Sequence, residues 1–91
     1  MLNEIQKKQF TPRAKEEMQK LLKDLDITEL QSDNIGKLQD ELDTRVAGLV
    51  SAEECENQKI DEELLKIYDL LIDIIIDNEK DLPFLNNLFI K

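Results

Sequence analysis

Between Ile60 and Asp77 the chain places charged residues at helical intervals: Glu62, Lys66, Asp69, Asp73 and Asp77. At about 100° per residue these five fall in one narrow stripe, and Ile60, Leu64, Leu65, Ile67, Tyr68, Leu70, Leu71, Ile72, Ile74 and Ile75 fill the remaining circumference. The apolar arc spans roughly 220°, about twice the width that a surface helix of a globular domain needs. A helix of this kind requires neighbours on more than one side. β-branched residues also suit a buried strand, but the regular polar stripe argues against one, and no other segment offers a strand to pair with it.

Cap signals divide the rest of the chain. Asn3 with Gln6 resembles a capping box and starts a turn or two, which Pro12 ends by requiring Thr11 to be extended. Thr11 is then the N-cap of a helix with Pro12 at its first position, and Ala14, Met18, Leu21, Leu22 and Leu25 form one face of it. Residues 27–34 are crowded with Ser32, Asp33, Asn34 and Gly36 just behind them and read as a connection. Ile35, Leu38, Leu42, Val46 and Leu49 make the stripe of the next helix, which Asp33 or Asn34 caps and Gly48 is expected to stop. Ser51 with Glu54 reads as a capping box, and Val50 with Cys55 as its hydrophobic staple, so a third helix is expected from residue 52. Asp81-Leu82-Pro83 restarts the chain, and Leu85, Leu88 and Phe89 give a short apolar face that should dock back as a lid.

The expected fold is therefore all-α: a small antiparallel helical bundle of three main helices plus a short C-terminal helix. The helices cover about 12–26, 34–48, 52–77 and 83–90 of a single domain spanning 1–91. Hydrophobic residues are 41% and charged residues 36%, with only two Gly and two Pro, too apolar for a disordered chain and too poor in turn residues for a β domain. A domain of this length buries only about 60–65% of its unfolded surface, which favours sharing an apolar face with a second copy or a protein partner. The first two helices and the tail supply apolar residues for two sides of the third helix. Leu65, Ile72 and Ile76 lie at the edge of its arc, beyond two antiparallel neighbours. With Glu62, Asp69 and Asp73 from the polar stripe they form the candidate interaction surface.

The net charge of −9 is uneven: residues 1–23 hold six Lys/Arg against three Glu, and residues 24–91 hold six against eighteen Asp/Glu. An acidic body repels phosphates, so direct nucleic-acid binding is not expected, and the basic first helix should pack beside an acidic one. With no His and one Cys, the chain cannot build a Ser-His-Asp or Cys-His arrangement or the usual zinc and di-iron sites. Asp24, Asp26 and Thr28 imitate the start of an EF-hand loop, but Glu29 and Ile35 stand where its glycine and bidentate glutamate belong. No catalytic, metal or cofactor residues are assigned, and no enzyme is expected. Cys55 reads as a structural residue, since Glu53, Glu54 and Glu56 oppose thiolate formation. No apolar run is long enough for a signal peptide or a membrane span, and an unpaired thiol fits a cytoplasmic setting.

The expected function is a non-enzymatic protein–protein interaction or regulatory module that presents a helix face or groove, as a homodimer or to another protein. One alternative is an acidic inhibitor that mimics nucleic acid and occupies the groove of a nucleic-acid-binding protein. In length and helix count the chain also resembles the small four-helix immunity proteins that protect bacteria from their own peptide bacteriocins. That resemblance implies a helical bundle and carries no residue roles. The abundance of Ile, Lys and Asn fits an AT-rich genome, bacterial or phage.

Overall fold

Four of the described helices start where a side chain satisfies amide hydrogens that have no intrahelical partner. The computed structural model describes residues 1–56 and 61–90, the side chains of 54–56 excepted. Asn3 and Gln6 form the reciprocal capping box of α1 (Glu4–Gln9), with Asn3 Oδ1 accepting from the Gln6 amide at 2.8 Å and Gln6 Oε1 from the Asn3 amide at 3.2 Å. Thr11 is extended, as the following proline requires, and its hydroxyl oxygen caps α2 (Pro12–Asp24) by accepting from the Ala14 amide. Asp61 caps α4 (Glu62–Asp77) through the Leu64 amide, and Asp81 caps α5 (Leu82–Phe89) through that of Phe84. Between these lies α3 (Ile35–Glu56), and no strand occurs among the described residues. The chain is all-α.

The expected break between residues 48 and 52 is overturned. The helix runs from Ile35 through Gly48 and Ser51 to Glu56, and the next one starts at Glu62. Gly48 is helical, with no positive φ, and the space around it is open. Ser51 is exposed within the helix, and Cys55 belongs to the last turn of α3, not the first turn of another helix. The side chains of Glu54 and Cys55, and all of Ile60, lie outside the described residues. A glycine costs a helix interior only about 1 kcal/mol and a serine less, which uninterrupted hydrogen bonding outweighs. Asn34 also departs from expectation. Its side chain turns back from α3, accepting from the Gln31 amide at 2.8 Å and donating to the Glu29 carbonyl at 2.8 Å, so it stiffens the preceding turn.

α2 ends in a Schellman motif: Ile27 donates to the Leu22 carbonyl and Asp26 to that of Lys23, with Asp26 in the left-handed region at φ 58°. The chain then crosses residues 27–34, burying Leu30. α5 anchors this crossing, because Asn86 Oδ1 accepts from the Leu30 amide at 2.7 Å while its Nδ2 donates to the Leu30 carbonyl at 3.0 Å. A single amide side chain thus satisfies both backbone groups of a buried residue, as a neighbouring strand would.

α4 is the hub, packing against α1, α2 and α3, while α5 packs against α2. It contributes Ile67, Tyr68, Leu70, Leu71, Ile74 and Ile75 to a core completed by Ala14, Met18, Leu21 and Leu22 of α2, Leu38 and Leu42 of α3, Leu30, and Leu85 and Phe89 of α5. The third side of α4, expected to need a partner or the tail, is taken in part by α1. Asn78 holds that contact: its Oδ1 accepts from the Met1 nitrogen, its Nδ2 donates to the Ile74 carbonyl, and beside it Gln6 Nε2 donates to Asp77 Oδ2. Phe10, just after α1, meets Phe89 with ring centroids 5.9 Å apart, joining the two ends of the chain.

Two substitutions check these assignments by urea denaturation. Gly48→Ala should stabilise the fold by about 0.5–1 kcal/mol, because alanine is better tolerated in a helix interior. A left-handed helix terminus at this position would give the opposite sign. Asp26→Gly should stabilise by about 1 kcal/mol, since glycine relieves the left-handed strain and removes a negative charge from a helix C-terminus.

Candidate interaction surface

The short dimension of the molecule, 19 Å, accommodates only about two helix layers, so even the central helix keeps a face in water. On α4 that face is the polar stripe: Glu62, Lys66, Asp69, Asp73 and Asp77 are all exposed. The apolar members of the candidate surface divide. Ile76 is 54% exposed, whereas Leu65 and Ile72 are half-buried, Ile72 by packing against the core. Sequence reasoning missed two further exposed apolar residues near the end of α4. Met1 and Ile5 are 84% and 68% exposed and lie at the same end as Ile76, because Met1 bonds to Asn78 and Gln6 to Asp77. The Asn3–Gln6 box was the signal that α1 would form, but nothing local indicated that it would dock beside the end of α4.

Two arginines set the position of α4 and its neighbours. Arg13, in the first turn of α2, donates to Asp61 at 2.8 Å and to Glu63 at 2.6 Å, tying the basic helix to the start of the acidic one. Arg45 of α3 donates to Glu41 and to Asp24 at 3.1 Å each, which engages the first residue of the EF-hand-like pattern in an interhelical ion pair. Burial opposes the Arg45 charge, but the Tyr68 phenol and the Glu41 and Asp24 carboxylates outweigh it and hold its pKa above the usual arginine value. Arg13 holds the Asp61 carboxyl below its ordinary value, aided by the Leu64 amide. Ion pairs at or near the surface add little net stability, so these select an arrangement more than they drive folding.

A concavity opens between residues 28–33 and α5, lined by Glu29, Gln31, Asp33, Leu82 and Asn87 among others. Asn86 also lines it, but its amide is engaged with Leu30. Among the described residues, no group of three or more Cys, Asp or Glu side chains is arranged to hold a metal ion. No described helix is long and apolar enough to cross a membrane. Comparison with protein families, with characterised proteins and with solved structures finds no match.

The Arg13–Asp61 pair gives the fold an acid-sensitive component. Because the folded-state pKa of Asp61 is lowered from its ordinary 3.8, the pair's stabilisation is fully present above that value and is lost as the pH falls below it. The stability difference between the wild type and Arg13→Gln should therefore be largest near neutrality and shrink below about pH 4. Urea titrations at pH 7 and pH 3 measure it, and an unchanged difference would remove Asp61 from the pair.

Proposed function

We propose that this chain is a non-enzymatic protein-binding module and that the solvent face of α4 is its docking surface. The observation that carries this reading is the exposed Ile76, in line with half-buried Leu65 and Ile72 and beside the acidic row Glu62, Asp69 and Asp73. Large aliphatic side chains rimmed by carboxylates combine an area worth removing from water with charges that orient a partner. Without histidine, the chain has no side chain whose ordinary pKa lies near neutrality, which also favours binding over acid–base chemistry.

The acidic row supports a second reading, a mimic of nucleic-acid phosphates, in which the carboxylates alone carry recognition. The two differ in their dependence on Ile76. A photoreactive residue at position 76 should crosslink a protein in extracts of the native host, and the same residue at Asp43, exposed on α3, should not. Equal labelling at the two positions, or none at 76, would defeat the docking surface. Labelling that adding Asp73→Asn abolishes and removing the apolar Leu65 side chain leaves unchanged would favour the mimic.

A further inference from the structure

Leu65, Asp69, Ile72 and Ile76 are spaced by four, three and four residues, the period of a helix-pairing seam. From Leu65 to Ile76 the seam runs about 16 Å, three helical turns, long enough for a partner helix to place anchors at i, i+3 or i+4, and i+7, which span about two turns. The exposed Met1 and Ile5 lie at the same end of α4, on the side of Asp77 and Asn78, held there by the contacts of Met1 with Asn78 and of Gln6 with Asp77. Along the seam and one flank stand Glu62, Asp69, Asp73 and Asp77, with Lys66 as the single positive charge, and among the described residues no ion pair engages any of these four carboxylates.

Resting on α4 as the docking surface, we propose that its occupant is a basic amphipathic helix: an apolar stripe that packs along Leu65, Ile72 and Ile76, flanked by Lys or Arg facing the carboxylates. Charge complementarity decides between occupants. A second copy would set two net-negative faces against each other and bring an Asp69 into the seam from each side, on a molecule already carrying a net charge of −9. An anionic lipid surface is repelled for the same reason. A cationic flank neutralises the row, speeds encounter and fixes register, while the seam supplies the apolar contact.

The test uses two designed helical peptides with the same leucine stripe, one flanked by Lys and one by Glu, followed by amide NMR shifts and fluorescence anisotropy. The Lys peptide should bind at least tenfold more tightly than the Glu peptide and shift the amides of residues 65–77. Ile76→Asp, at an exposed position that leaves the core intact, should weaken the Lys peptide about tenfold although it adds a charge in that peptide's favour. Asp69→Lys with Asp73→Lys should reverse the preference between peptides. Equal affinity for both peptides, or Lys-peptide binding untouched by Ile76→Asp, would overturn the proposal. So would a dimer in sedimentation equilibrium that Ile76→Asp dissolves, which would make a second copy the occupant. Crosslinking at position 76 in host extract together with no binding of the Lys peptide would defeat the basic helix alone. Failure of both would remove the docking surface as well.

Discussion

Everything else in this molecule is arranged around burying the apolar arc of α4. Six of its side chains, from Ile67 to Ile75, lie in the core, and each is worth about 1.5–3 kcal/mol when removed from water. Together they amount to something on the order of 10 kcal/mol, the scale of a small domain's entire net stability. Neighbours on three sides are needed to collect that energy, and α1, α2 and α3 take those places. α5 is tied in differently, through α2, the buried Leu30 and the ring of Phe10. The short outer helices persist because they are docked, since isolated helices shorter than about 12 residues are marginal in water.

Polar side chains determine which way these pieces dock. Apolar contact is non-directional and would accept many placements of a six-residue α1 or an eight-residue α5. Asn78 and Asn86 remove that freedom by bonding to specific backbone groups, the first capping α4 while receiving Met1, the second completing both bonds of Leu30. Buried amides left without such partners would be costly, so each tolerates few alternative arrangements. Arg13 and Arg45 act similarly at the surface, linking α2 to the start of α4 and α3 to the end of α2. The candidate interaction surface follows from the same packing. A molecule about two helices thick leaves one stripe of its central helix in water, and on α4 that stripe carries both the carboxylates and the incompletely covered isoleucines.

Much of this was legible locally. The polar stripe of α4, the capping box of Asn3 and Gln6, the Thr11-Pro12 and Asp81-Leu82-Pro83 starts and the connection over residues 27–34 each depend on residues within a few positions of one another, and each appears in the structure. The end of α3 did not. Gly48, Ser51 and Glu54 match a stop followed by a start, yet each is also tolerated inside a helix at a cost of about 1 kcal/mol or less. Asp61-Glu62-Glu63, an N-cap followed by acidic residues at the positive end of a helix dipole, was the competing signal, and it is the one the chain uses. Of the candidate surface, the exposure of Glu62, Asp69 and Asp73 follows from their angular position. The division between exposed Ile76 and half-buried Leu65 and Ile72 does not, because neighbouring elements cover them unequally.

The sequence by itself determined that the chain is helical, where most helices begin, and which stripe of the central helix meets water. These properties depend on hydrogen bonds and side-chain angles within one or two turns. Only the tertiary structure decided that α3 continues through Gly48, that α1 takes the third side of α4, and that Met1 and Ile5 come to lie at the same end as Ile76. The last two outcomes depend on contacts between residues more than seventy positions apart, such as Gln6 with Asp77, whose energy no local pattern encodes.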